Sequence, residues 1–186
     1  MKNIPLYMSA TLRDIPEAIL PSGFHFRLFR EGDEQYWAEI NTATKEFTNM
    51  KSALNRFESE FMPYRIETKK RVIILETDEG KPVGTAAAWF GDFNGKQTGR
   101  LHWVEIMPEY QGRKLGKPLV IKALEILSSF HNEAYLKTQT TSLTAIHIYL
   151  KLGFKPVIRN TEDQEGWNLV FSHFQCKKER SVDCPF

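Results

Sequence analysis

Cysteine is scarce: only Cys176 and Cys184 occur in 186 residues, both near the C-terminal end. Two thiols in a chain this long do not build a disulfide framework, and no further Cys or His stands at zinc-ligand spacing, so no metal is expected. Excess charge of one sign is lacking too. The formal net charge is +2, too small to hold nucleic acid or an acidic membrane surface by charge alone, so neither is an expected partner. Any basic site must be local. No apolar run approaches the roughly 20 residues of a membrane span, and residues 1–21 show no signal-peptide pattern, so a cytoplasmic protein is expected. Repeats and low-complexity segments are also missing. What remains is the composition of one globular domain with a sizeable core.

The periodicity of apolar residues lays out an element order. Residues 1–23, with Pro5, Pro16 and Pro21, read as an extension packing on the domain. Phe24 to Phe29 reads as a first strand, and Asp33 as the N-cap of a helix through Trp37 and Ile40. Ser52 to Met62 is a second helix. Arg71 to Leu75 and Pro82 to Phe90 form a hairpin around Asp78-Glu79-Gly80-Lys81. Gly84, Ala86 and Ala88 give its second strand a face of small side chains, suited to close packing under a helix. Gly91 to Gly99 reads as a loop, Arg100 to Met107 as the central strand, and Leu115 to His131 as a long amphipathic helix. Pro118 falls in its first turn, where proline is tolerated. Glu133 to Thr138 is a strand and Ser142 to Leu152 a helix, capped by Ser142 and stopped by Gly153. Phe154 to Ile158 and Trp167 to Gln175 read as final strands, joined by a loop carrying Glu162, Asp163 and Glu165. This order implies an α/β fold with a mixed sheet and helices on both faces.

One stretch stands out. The strand ending in Glu105-Ile106-Met107-Pro108 runs into Glu109-Tyr110-Gln111-Gly112-Arg113-Lys114-Leu115-Gly116-Lys117 and then into the long helix. A glycine-bearing loop at a helix N-terminus offers free backbone N–H groups where the dipole favours an anion. Arg113, Lys114 and Lys117 add local positive charge. The segment reads as a cradle for a pyrophosphate. A nucleotide-triphosphate loop is disfavoured because no G-x-x-x-x-G-K-[ST] sequence occurs.

Gln111-Gly112-Arg113-Lys114-Leu115-Gly116 resembles the Q/R-x-x-G-x-G/A motif of the GNAT superfamily of acyl-CoA-dependent N-acyltransferases. Val104-x-Ile106-x-Pro108 resembles that family's central strand and its exit. Ala145-Ile146-x-x-Tyr149-x-x-Leu152-Gly153-Phe154 resembles its second signature, a tyrosine-bearing helix ending in Leu-Gly-Phe. Both motifs stand in the expected order on the expected elements. The resemblance implies a single GNAT-like domain over 24–175, with a mixed, mostly antiparallel central sheet of six to seven strands flanked by helices, and a C-terminal tail over 176–186. There is one departure: the motif's first glycine is Lys114, and a lysine calls for an ordinary backbone conformation.

The resemblance further implies acetyl-CoA as co-substrate and a primary amine of a small molecule or peptide as acceptor, in a monomer or homodimer. Cofactor contacts fall on Ile106, Met107, Gln111, Gly112, Arg113, Lys114, Leu115, Gly116, Lys117, Ser142 and Tyr149. Tyr149 matches the family's proton donor to the leaving thiolate; with reference pKa values of about 10 for phenol and about 8.5 for thiol, that transfer is uphill by roughly 2 kcal/mol. His102 sits where one branch of the family places an active-site histidine, and a structural histidine is the competing reading. Glu105 is the other candidate base. In a regular strand Arg100, His102 and Val104 share one face and Trp103 and Glu105 the other, so Glu105 needs a bulge to turn it toward the site. For the acceptor, the segment 41–62 contains Phe47, Met50, Phe57 and Phe61, and its aromatics together with the acidic loop suit a cationic amine; a helix stripe and a solvated loop explain them equally well. A catalytically inactive acyl-CoA-binding or sensing module is the alternative to an enzyme.

Overall fold

The computed structural model describes residues 1–182, with side chains through residue 176. Cys184 and residues 183–186 of the expected tail lie outside the described residues. The chain divides into two compact units, residues 12–134 and residues 1–11 together with the chain from Tyr135 onward. The described residues form seven strands and six α-helices, the α/β class expected, and every register below is antiparallel.

In residues 12–134, strands β2 (Phe24–Leu28), β3 (Val72–Thr77), β4 (Pro82–Phe93) and β5 (Lys96–Ile106) follow one another in an antiparallel run. Helices α1 (Glu34–Ala43) and α2 (Met50–Glu60) cover one face. They bury Trp37, Ala38, Ala53 and Phe57 against Ala87, Trp89 and Val72, with Phe61 just beyond α2. These aromatics touch edge-on or tilted, as in Trp37–Phe57 at 5.2 Å and Phe61–Trp89 at 4.8 Å, the arrangement the ring quadrupole favours. On the other face lies α4 (Gly116–Ser128), whose Leu119, Val120, Ala123, Leu124 and Leu127 are all buried. The small side chains of Ala86 and Ala88 are fully buried, as close packing requires.

Two local readings change, and one element is added. Asp33 holds the N-cap position of α1 but makes no capping bond; its carboxylate pairs with Arg27 (Nη2–Oδ1 2.9 Å), because a buried guanidinium needs a charged partner more than a helix end does. The expected loop over 91–99 is a two-residue turn: Asn94 and Gly95 take φ +57° and +77°, so β4 and β5 run on to Phe93 and Lys96. A short helix, α3 (Arg65–Arg71), follows a 3₁₀ turn at Met62–Tyr64.

In the other unit, β1 (Pro5–Thr11) pairs antiparallel with β7 (Lys155–Val157), Tyr7 facing Val157. Residues 5–11, read from sequence as part of an extension, thus form a strand; Leu6 and Met8 alternate inward at 0% exposure. β6 begins at Glu133 and runs to Gln139, and α5 spans Leu143–Lys151. Gly153 at φ +87° ends α5 as expected. Trp167 to Gln175 is not a strand but part of helix α6 (Thr161–Val182). Asn160 caps that helix, accepting from the Asp163 N–H at 2.9 Å. Asp163, Trp167 and Val170 are buried at helical spacing. Gly166 stands where a Cβ would meet the side-chain atom Leu6 Cδ2 at 2.8 Å, so Leu6 packs directly onto the Gly166 backbone of α6.

Candidate active site

The central strand β5 carries a bulge. His102 faces Ala87 and Glu105 faces Thr85, so two residues, Trp103 and Val104, oppose the single Ala86. Trp103 takes φ +49°, a left-handed conformation that costs a non-glycine residue about 1–2 kcal/mol. The consequence is a change of face. Thr85 and Ala87 lie on the same side of β4, so His102 and Glu105 lie together on the side covered by α1 and α2. The strict alternation expected from sequence, with His102 and Glu105 apart, does not hold. The bulge also brings Trp103 beside His102, ring centroids 4.6 Å apart.

A residue the sequence reading missed holds this arrangement. Glu60, the last residue of α2, places Oε1 2.8 Å from His102 Nε2, and its Oε2 accepts from the Trp103 indole N–H at 3.3 Å. Arg56 Nε is 3.6 Å and Arg100 Nη1 3.8 Å from the same carboxylate. Burial pushes the Glu60 carboxyl up, but His102, Trp103 and Arg100 outweigh it and hold the group below the usual carboxylate range. For His102, burial lowers the imidazole and outweighs the opposing hydrogen bond from Glu60, with Arg100 and Arg56 adding to the lowering. At neutral pH the pair is therefore a carboxylate beside a neutral imidazole. A carboxylate only accepts, so the shared proton sits on Nε2 and Nδ1 keeps its lone pair.

Glu105 has the opposite environment. Burial first, then the nearby charge of Glu46, raises its carboxyl to about 7, against a hydrogen bond from Thr44 that lowers it. Thr44 and Glu46 belong to the turn after α1, where the Glu46 and Phe47 amides both donate to Asn41 O. Glu105 is thus half ionised near neutral pH, the condition under which a carboxylate serves as a general base.

Beyond β5 the chain turns sharply. The Met107 amide donates to Val83 O at 2.8 Å, so the alternation of the ladder turns the Ile106 amide away from β4. Ile106 O accepts from Gln111 Nε2 at 3.0 Å, tying the loop back to the strand. Gly112 and Lys114 both take positive φ, +77° and +61°. Lys114 therefore occupies the left-handed conformation that a glycine would fill, not the ordinary one expected of lysine; its side chain is exposed. Leu115 is buried and anchors the start of α4, whose N-cap has no side-chain partner. Among the described residues, no group accepts from the amides of Gly112 to Gly116. Alternating backbone signs with amides left open make an anion-binding concavity. Arg113 lies over the Tyr110 ring at 4.8 Å, and Lys117 is exposed in the first turn of α4.

Tyr149 and Ser142 belong to the other unit. Tyr149 is buried on α5, its ring centroid 6.0 Å from Phe154 and its carbonyl accepting from the Phe154 N–H. Ser142 holds the N-cap position of α5, but its hydroxyl makes no capping bond. The acceptor-side residues sort differently than expected. Phe57 and Phe61 are fully buried core. Asp163 pairs with Arg159 and Glu165 with Lys2 on α6, so no acidic loop exists there. Phe47 remains, packed against Trp103 at 5.4 Å. Among the described residues no group of three or more His, Cys, Asp or Glu is placed to hold a metal ion.

The acetyltransferase (GNAT) family profile matches residues 32–154. A mycothiol acetyltransferase from Pseudarthrobacter chlorophenolicus is 28% identical over 152 residues, 79% of this chain and 47% of its own length. An uncharacterized N-acetyltransferase from Archaeoglobus fulgidus is 38% identical over 60 residues, 31% of this chain and 40% of its own. The crystal structure of a GCN5-related N-acetyltransferase from Sphaerobacter thermophilus superposes with a TM-score of 0.67 at 21% identity, over 83% of this chain and 49% of that one. The matched region spans less than half the length of each of these relatives.

Proposed function

Because the chain belongs to the acetyltransferase (GNAT) family, we propose that it transfers the acetyl group of acetyl-CoA to a primary amine of a small molecule or peptide, by direct attack with both substrates bound. The observation that carries this reading is the row of open amides from Gly112 to Gly116, directly after the bulged strand that presents Glu105. The amides suit the diphosphate of coenzyme A, with Gln111, Arg113, Lys114, Leu115 and Lys117 shaping and charging the loop and Ser142 contributing from α5. The Ile106 amide, turned out of the β4 ladder, together with Met107 accommodates the thioester arm and donates to its carbonyl oxygen as negative charge develops there.

Glu105 takes the proton from the amine. A free ammonium titrates near 10.4, so a base at about 7 cannot remove its proton outright; the gap is roughly 5 kcal/mol. The neutral fraction of the amine attacks instead, and its N–H groups become acidic as the new C–N bond forms, which is when a base of this strength acts. His102, neutral and bonded to Glu60, stands beside it as the second proton-handling group. Tyr149 returns a proton to the thiolate as the C–S bond breaks.

A binding-only module is the alternative. Lysine at a glycine position argues mildly for it and the retained Tyr149 argues against it; Lys114 takes the glycine-like conformation, which keeps the loop open to an anion under either reading. No helix of the described residues is long and apolar enough to cross a membrane, and we place the protein in the cytoplasm as a monomer or homodimer. The test is calorimetric titration with acetyl-CoA, followed by thiol release from acetyl-CoA across small amines, polyamines, aminoglycosides and peptides. Binding with amine-dependent thiol release is expected. Binding without release on any amine selects the sensing module, and absence of binding removes both.

A further inference from the structure

Glu60 lies outside the family motifs, and its position answers a question the bulge raises: what keeps consecutive side chains of β5 on one side. His102 and Trp103 would point to opposite faces of a regular strand. Instead each meets a different oxygen of one carboxylate, His102 Nε2 at 2.8 Å from Oε1 and Trp103 Nε1 at 3.3 Å from Oε2. The Glu60 side chain is 15% exposed and that of His102 16%, so both bonds form largely out of water. Glu60 is itself fixed where α2 ends on the fully buried Phe61, whose amide closes the helix onto Phe57 O at 2.9 Å. The charged groups acting on His102 come from two elements, Glu60 and Arg56 from α2 and Arg100 from β5.

We propose that Glu60 is a positioning residue of the acetyl-transfer site: its carboxylate holds the His102 ring with the proton on Nε2, and it clamps the bulge that sets His102 and Glu105 on one face. This rests on the transferase reading above. The physical reason is the acceptor-only character of a carboxylate, which admits one tautomer of its imidazole neighbour. Nδ1 is then the ring atom left to accept a proton, and Glu60 stabilises the imidazolium if one forms. The same group offsets the left-handed conformation of Trp103 by satisfying its indole N–H. Nothing in this role requires Glu60 to touch a substrate.

The experiment uses the full chain labelled with ¹⁵N-histidine, the His102 signals being assigned by their loss in His102→Asn. In the wild type the long-range proton–nitrogen spectrum at neutral pH shows Nε2 protonated and Nδ1 bare. In Glu60→Ala the tautomers mix, the Trp103 indole N–H resonance moves, and kcat with the best amine falls about 10- to 100-fold. The dissociation constant for acetyl-CoA stays within about threefold, since the amide loop is untouched. Glu60→Gln, which keeps one oxygen to accept from Nε2–H, restores the tautomer and part of kcat. A wild-type His102 with its proton on Nδ1, or a Glu60→Ala protein with unchanged tautomer and unchanged kcat, overturns the proposal. Should Glu60→Ala fail to fold, the wild-type tautomer and Glu60→Gln decide it. A wild type inactive toward every amine sinks the transferase reading separately, because the tautomer is measured without substrate.

Discussion

His102 and Glu105 share one face of β5 although three positions separate them, a spacing that puts residues on opposite faces of any regular strand. The extra residue at Trp103–Val104 changes the parity. It leaves two titratable groups side by side with opposed tendencies, an imidazole pushed toward its neutral form and a carboxyl pushed up to about 7. Two titratable groups perturbed by burial on one face of a strand mark out candidates for proton-transfer roles.

If Glu105 is the general base, turnover falls as pH drops through about 7, because its carboxylate is lost there. Glu105→Gln should lower kcat about 10²- to 10⁴-fold and abolish that acidic limb. A pH–rate profile of the variant that keeps the limb at the same midpoint would reassign it, with His102 the next group to test.

The same carboxyl carries a stability cost with a definite sign. Its pKa is raised from 4.5 to about 7 in the folded protein, so between those values the folded state holds a proton that the unfolded state has released. Stability therefore declines as pH rises through this window, and the cost is complete above it. Glu105→Gln should be more stable than wild type at pH 8, by at most about 3 kcal/mol, with the gain fading toward pH 4.5. Urea unfolding at the two pH values measures this; a variant less stable than wild type at pH 8 would contradict the burial argument.

Lys114 tests whether the loop works through its backbone. At φ +61° lysine bears a strain that glycine does not, so Lys114→Gly should leave stability within about 1 kcal/mol and acetyl-CoA affinity within a few-fold. Lys114→Val places a β-branched side chain in the same conformation and should cost about 1–2 kcal/mol and loosen the cradle. If calorimetry shows that glycine weakens binding as much as valine, the side-chain charge carries the interaction and the amides do not.

Much of this was legible in the sequence, because strongly periodic elements and backbone-dictated motifs announce themselves. The stripe Leu119, Ala123, Leu124, Leu127 reports the buried side of α4, and Gln111 to Gly116 reports a loop whose shape resides in main-chain angles. Asn94-Gly95 was a hairpin signal hidden among other glycines. Trp167 to Gln175 alternates like a strand and also repeats at helical spacing; the Asn160 cap decides for the helix. Ile4, Leu6 and Met8 alternate, but the prolines around them masked a strand. Glu60 had no signature at all. Its partners lie 42 and 43 residues away, and only the fold places a helix-ending carboxylate over a bulge.

Gly84 offers the sharpest test of how tightly that bulged strand is held. It pairs with Ile106, and a Cβ there would stand 2.9 Å from Glu105 O and 3.3 Å from both Ile106 Cγ1 and Leu75 Cδ2. The first contact is with backbone, which cannot swing aside as a side chain would, so β5 itself must shift. Gly84→Ala should cost about 1–3 kcal/mol, the usual penalty for overfilling a packed site. A shift of even a fraction of an ångström moves Glu105 and the Ile106 amide together, so kcat should fall by about an order of magnitude or more while the amide loop keeps its hold on acetyl-CoA. Equal losses in kcat and in acetyl-CoA affinity would mean that the strand and the loop move as one body, and the separation of roles between Glu105 and the Gly112–Gly116 amides would fail.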